Sequence, residues 1–243
     1  MACKMAHKVD TCMSANPPLP LEFSRYNQLG LSGFTHVAIT AALEYTCGRV
    51  GGDYYEFGLY AGSSFYHAQQ EARRLDLSAM NFWGFDSFQG LPAVTAKPDI
   101  GRFVPGLYTC SLETVRLLHN CFGVDWRRTH LIKGWYEDTL NATLVKERGM
   151  APAAVVVVDC DLYTSTVPVL RFIAPLLQPR TVIIFDDWHQ GGEQQAFREW
   201  LPRYPQWGAK EYRVKDMDYH QKMFIMYEAE AGAEVRSRNA RTL

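Results

Sequence analysis

The chain has 243 residues, 47% of them apolar, and a formal net charge of -1 at pH 7. That size and apolar content suit one domain with one core. The near-neutral balance excludes the basic footprint of a nucleic-acid or anionic-membrane binder, so small molecules are the expected partners.

Residues 1–20 read as a flexible arm. They lack the continuous apolar stretch of a signal peptide, and no later segment is long and apolar enough for a membrane span. Six cysteines (Cys3, Cys12, Cys47, Cys110, Cys121, Cys160) show no CxxC pair or metal-finger spacing, which predicts scattered, mostly reduced thiols and a cytoplasmic location. From Gly33 to Cys47, apolar residues at Phe34, Val37, Ala38, Ala41, Ala42 and Tyr45 have helical spacing and predict a helix ahead of the sheet. Asp53–Gly58 reads as strand one, Ser63 to Leu75 as a helix, and Phe82–Phe85 as strand two. Gln89 to Tyr108 holds Pro92, Pro98, Gly101, Pro105 and Gly106 and is too long for a routine connection, so it reads as an ordered loop or lid.

A helix over Leu112–Phe122 follows, then a third strand around Leu131 and a fourth in VVVVD. Next come a helix from about Ser165 to Leu177 and the strand TVIIFDD. KEYRVKD and KMFIMYE are spaced as an antiparallel hairpin, and residues 229–243 read as a disordered tail. Repeated strand–helix units predict an α/β, doubly wound, mostly parallel sheet over residues 21–228.

Two of these apolar runs end in acids: Asp159 and Asp161 in VVVVDCD, Asp186 and Asp187 in TVIIFDD. Apolar on both faces, the runs read as buried parallel strands, which puts the acids at the carboxyl edge where such sheets bind ligands. Asp159 and Asp161, two apart, are expected on one face. Four unpaired carboxylates would repel strongly in a partly dry cleft, so a divalent cation is expected among them. Oxygen donors with no His or Cys at ligand spacing favour Mg²⁺ over Zn²⁺. Paired acids at strand ends also cap helices, and Thr164 or Ser165 is the expected N-cap of the following helix.

In YYEFGLYAGSSF the acid Glu56 ends strand one, Gly58 and Gly62 bracket Tyr60, and Ser63 and Ser64 open a helix. Glycines there allow a sharp turn and close approach to a ligand, and free N–H groups at the helix start favour an anionic group. A nucleotide-type cofactor is expected, with Glu56 suited to a ligand ammonium and Asp86, at the end of strand two, suited to ribose hydroxyls. This describes S-adenosylmethionine better than NAD, because the dinucleotide fingerprint Gly-x-Gly-x-x-Gly is missing; taken alone, two such glycines also simply shape a turn. The alternative reading, a nicotinamide-dependent oxidoreductase, shares the sheet and Asp86 but leaves the acids without a task.

In order and separation, the segments EFGLYAGSSF, GFDSFQGLP, LIKGWYEDTL, DCDLYTSTVPVL and IIFDDW resemble the macrocin O-methyltransferase family. The resemblance covers about Asp53 to His189. It implies a class I, Rossmann-like methyltransferase fold with a seven-stranded sheet, an N-terminal helical cap, an active-site magnesium ion and a homo-oligomer, expected as a dimer. It matches Glu56, Gly58 and Gly62, with Tyr60 and Ser63, to the cofactor loop, Asp86 and Ser87 to the ribose site, and Gly134 and Trp135 to the turn beside adenine. Asp159, Asp186 and Asp187 match metal ligands, Asp159 also standing beside the cofactor, and Asp161 matches the general base. This chain departs from the family at Cys160, where Gly is usual, and at Gln178-Pro179-Arg180, where a Gly-Gly turn is usual. His189 is the rival base, since an imidazole titrates near working pH. The expected acceptor is a small natural-product-like molecule offering a sugar or other hydroxyl, or a carboxylate.

Overall fold

Successive residues of the central strands enter two different cores, which is why their sequences are apolar without alternation. The computed structural model describes residues 35–94, 97–99 and 103–229, so the expected N-terminal arm, and the expected C-terminal tail beyond Ala229, lie outside the described residues. Strands β1 (Asp53–Phe57), β4 (Ala153–Val158) and β5 (Val182–Phe185) are buried along their whole length. Tyr54, Val155, Val157 and Ile184 face one core, and Tyr55, Phe57, Val156, Val158 and Phe185 the other.

The sheet order is β3-β2-β1-β4-β5-β7-β6, with β2 at Phe82–Asp86, β3 at Thr129–Lys133, β6 at Trp207–Glu211 and β7 at Lys222–Glu228. Strands β1 to β5 pair in parallel, and β7 runs antiparallel between β5 and β6. The expected seven-stranded sheet with a terminal antiparallel hairpin is therefore present. Helices α1 (Thr35–Thr46), α2 (Ser63–Arg74) and α3 (Leu112–Phe122) cover the first face, and α1 buries Ala38, Ile39, Ala42 and Leu43 at helical spacing. After the single turn α4 (Tyr136–Thr139), helices α5 (Ala142–Arg148), α6 (Tyr163–Ile173) and α7 (Glu193–Trp200) cover the second. At the amino edge, buried Asp53 accepts hydrogen bonds from Trp83 Nε1 (2.8 Å), Asn81 N (3.1 Å) and Ala151 N (3.2 Å), tying β1 to β2 and to the approach of β4.

The start of the helix after β4 differs from expectation. Helix α6 starts at Tyr163, and its N-cap Leu162 offers no side-chain bond. Neither Thr164 nor Ser165 caps it: Asp99, from the long connection after β2, accepts from Tyr163 N (2.8 Å), Thr164 N (2.9 Å) and Thr164 Oγ1 (2.8 Å). Asp99 is 1% exposed, so the connection is docked on the helix start, where the unpaired N–H groups attract a carboxylate. Cys47, Cys110 and Cys160 are free thiols.

Chain reversal inside the sheet places β1 and β4 side by side at the centre, with β2 and β3 wound to one side and β5 to the other, which makes their carboxyl ends the switch point of the topology. Gly58 lets these ends meet: its φ is +91°, and a Cβ there would lie 1.6 Å from the carbonyl oxygen of Asp159. The glycine serves the approach of two strands more than that of a ligand. Gly58→Ala is expected to destabilise the fold by about 3–5 kcal/mol through clash and strain, measured by chemical denaturation; a loss below about 1 kcal/mol would show that the strands separate freely.

Candidate active site

A cavity of about 600 Å³ opens at this switch point, and its lining includes the ends of all five parallel strands: Gly58, Asp86, Gly134, Asp159 and Asp186. The parallel register places the acid-bearing ends side by side, because Val158 pairs with Phe185 and the next residue of each strand is an aspartate. Asp159, Asp186 and Asp187 each present a carboxylate oxygen within 4.8 Å of the other two. Asp161 also lines the cavity, but not by strand alternation: β4 ends at Val158, and Asp161 has φ +59°. A left-handed turn, which Asp tolerates better than most residues, brings it back toward the others.

Burial and crowding shift these groups together. Asp159 is held well above the ordinary carboxylate range by desolvation first, then by Asp186 and Asp161. Asp161 is pushed up to about 9, by desolvation and then by sharing a hydrogen bond with Asp187. Asp186 is raised by burial, while bonds from Thr35 Oγ1 (2.7 Å) and Gln221 Nε2 act in the opposite sense. Among the described lining residues Asp86 and Glu137 add further acids, and no Lys or Arg is present. His36 lines the cavity too, stacked on His67 at 4.1 Å, and burial together with His67 pushes it down to about 4, so it is neutral at working pH.

On the β1–β2 side, Asp86 organises the glycine loop. Its Oδ2 accepts from Leu59 N (2.7 Å) and Tyr60 N (3.2 Å), and its Oδ1 from Phe88 N (2.6 Å). Tyr60, Ser63, Ser87, Gly134 and Trp135 line the cavity beside it. Ser87 Oγ accepts from Gln89 N (3.0 Å) and donates to Gly90 O (3.0 Å), closing the turn after β2.

Three residues singled out in the sequence stand apart from the lining. Glu56 is 0% exposed and does not reach the cavity surface: it accepts from Tyr54 Oη on one oxygen and from Ser64 Oγ on the other, and burial pushes it up to about 7. Its two hydroxyl partners occupy the carboxylate that an ammonium was expected to meet. Gly62 sits behind the loop, where a Cβ would lie 2.6 Å from His119 Nε2. His189 is exposed and stacks on Tyr219 at 4.8 Å, outside the lining.

One acid passed unnoticed in the sequence. Glu193, 0% exposed, accepts from Cys160 N (3.3 Å) on Oε1 and from Asp187 N (3.1 Å) on Oε2. Its position at the start of a helix after a Gly-Gly pair reads as an ordinary helix-start acid, and only the fold reveals its two partners.

A family model described as macrocin O-methyltransferase matches residues 36–205. The 8-demethyl-8-(2,3-dimethoxy-alpha-L-rhamnosyl)-tetracenomycin-C 4'-O-methyltransferase of Streptomyces olivaceus is 30% identical over 164 residues, covering 64% of this chain and 60% of that protein. Mycinamicin III 3''-O-methyltransferase of Micromonospora griseorubida is 28% identical over 163 residues, covering 64% and 62%. The matches thus span about three fifths of these curated relatives. Among solved structures, the O-methyltransferase NovP superposes with a TM-score of 0.70 at 22% identity over 80% of each chain. CalS11, described as a TDP-rhamnose 3'-O-methyltransferase, superposes with a TM-score of 0.57 at 23% identity over 92% and 93%. These likenesses show that the fold is that of O-methyltransferases. Since the matched region runs from α1 past the end of α7 and takes in both acid-bearing loops, the chain belongs to the macrocin O-methyltransferase family.

Proposed function

We propose that this chain is an S-adenosylmethionine- and magnesium-dependent O-methyltransferase acting on a hydroxyl of a small, uncharged, natural-product-like acceptor. The observation that carries the reading is the convergence of Asp159, Asp186 and Asp187 oxygens within 4.8 Å of one another, next to Asp161, on a cavity that the donor half-site shares. The donor set is all carboxylate oxygen, which suits a hard dication, and no basic lining side chain among the described residues offsets the acids in its place. When bound, the two groups supply an electrophilic methyl and a Lewis acid that orients and acidifies an acceptor hydroxyl.

The chain's own residues do the rest. Asp86 and the loop it holds would seat the donor's ribose, and Trp135 with Gly134 would bound its base. Asp161 would take the acceptor's hydroxyl proton: it lies on the cavity wall beside the ligand trio without belonging to it, and a dication held by the trio would favour its carboxylate form. His189, exposed and stacked on Tyr219, lacks that position. The acidic wall also favours a neutral acceptor over a carboxylate, and glycosides of the kind named for the two curated relatives over a phosphate-bearing sugar of the kind named for CalS11.

The direct test is calorimetry with S-adenosylhomocysteine, with and without Mg²⁺, followed by mass spectrometry of a panel of glycosides, carboxylates and nucleotide sugars incubated with the donor. A 14-dalton gain confined to uncharged glycosides is expected, the increment of one methyl replacing one proton (about 14 Da); absence of S-adenosylhomocysteine binding overturns the reading. Asp161→Asn keeps a residue at home in the left-handed region and removes the base. It should lower kcat roughly 10²- to 10⁴-fold with little change in S-adenosylhomocysteine affinity, and undiminished turnover would move the proton transfer elsewhere.

Stability should also respond to pH in a sign opposite to ordinary acid denaturation. Asp159, Asp161, Asp186 and Glu56 are all raised in the folded state, so the folded chain holds more protons than the unfolded one between the ordinary carboxylate range and about 9, the position of Asp161. Over that window the ion-free protein loses stability as pH rises. Differential scanning fluorimetry in chelator should show Tm falling from about pH 5 to about pH 9, with Mg²⁺ restoring more at the upper end; a Tm that rises across the window in chelator would show that the acids are not crowded.

A further inference from the structure

The segment Gly191-Gly192-Glu193 joins the two acid-bearing loops to each other without touching the cavity. Gly192 N donates to Asp161 O at 2.7 Å, and Gly191 N donates to Asp187 O at 2.9 Å. Both glycines are pressed against the loop after β4: a Cβ on Gly191 would lie 2.2 Å from Asp161 O, and one on Gly192 would lie 2.0 Å from Tyr163 N. Glu193 completes the bridge, one oxygen on the N–H of Cys160 and the other on the N–H of Asp187.

The chemistry of this side chain is specific. Two converging N–H donors on different loops need two acceptor oxygens on one stem, which a carboxylate supplies. A Gln of the same shape supplies one and turns an N–H toward the other donor, and an Asp is a methylene too short to span both. Yet a carboxylate is an expensive way to tie two loops, because it lies 0% exposed among four acids already crowded together. Its charge is useful only if a cation completes the cluster.

Resting on the metal-dependent reading above, the geometry points to Glu193 as a positioning residue for the dication: it sets the spacing of the Asp159 and Asp187 carboxylates through the backbone on either side, and adds an outer negative charge without occupying a ligand position. The donor half-site around Asp86 and Trp135 makes none of these contacts. Glu193 therefore governs ion affinity separately from donor affinity.

Mn²⁺ binding to the full chain, followed by electron paramagnetic resonance, is compared for wild type and Glu193→Gln, alongside S-adenosylhomocysteine calorimetry and Tm, both in chelator. The expected result is a Mn²⁺ Kd raised about 10- to 100-fold, with S-adenosylhomocysteine affinity changed less than about threefold and the ion-free Tm lowered by only a few degrees, the cost of the one mismatched N–H pair. A strut with a merely structural role would lower ion-free Tm and S-adenosylhomocysteine affinity in step, and that pattern overturns the inference, as does an unchanged Mn²⁺ Kd. Glu193→Asp keeps the charge on a shorter stem and should fall between wild type and Glu193→Gln; if both variants fail to fold, the residue serves the fold and not the ion. Wild type that binds no Mn²⁺ defeats the metal reading itself, an outcome distinct from wild type that binds it while Glu193→Gln binds equally well.

Discussion

Repulsion between carboxylates gathered at the ends of β4 and β5 is the constraint around which the rest of this structure is arranged. Parallel pairing of two apolar strands carries their terminal acids to the same edge, and the surrounding protein then removes water from them. Neutral donors from two distant parts of the chain, Thr35 at the start of α1 and Gln221 just before β7, bond Asp186 and blunt part of the penalty. None of them supplies charge. The acids remain raised, and among the described lining residues no Lys or Arg offsets them.

Against this crowded half of the cavity stands a half in which close backbone approach dominates. Gly58 allows the ends of β1 and β4 to touch, and Asp86 holds the loop that follows by accepting three backbone N–H groups. The same acid thus shapes the wall it was expected only to decorate. Glu56 offers a parallel case: buried under the loop and gripped by Tyr54 and Ser64, it supports the floor of the site instead of facing it. In both, an acid at a strand end acts first on the protein's own backbone and hydroxyls.

The long connection after β2 links the two halves. Asp99 takes the place of a side-chain cap for α6, the helix that leaves directly from the acid-bearing loop of β4. Position of the connection and order of the helix start are therefore one event, since the N–H groups of Tyr163 and Thr164 lose their carboxylate if the connection lifts. Tyr108, near the end of the connection, packs edge-on against Tyr60 at 5.9 Å, so the same segment also touches the glycine loop.

Much of this was legible from the chain alone. Runs such as VVVVD and TVIIFDD fix their own state, because fully apolar stretches of β-branched residues are stable only as strands covered on both faces, and an acid that ends such a run has to emerge at an edge. Strand identity, the antiparallel finish and the meeting of Asp159, Asp186 and Asp187 at one edge follow from that local logic; the place of Asp161 does not, since a left-handed turn beyond the strand brings it to the cavity. What could not be read is which donor each acid meets. Asp99 capping a helix 64 residues away, Glu193 bridging two loops, Glu56 turned under the loop and His189 turned out onto Tyr219 all depend on backbones brought together by tertiary packing. Sequence determines the edge at which a charge emerges; only the folded chain decides what it faces there, because hydrogen-bond geometry is set within a few tenths of an ångström by segments that carry no local trace of one another.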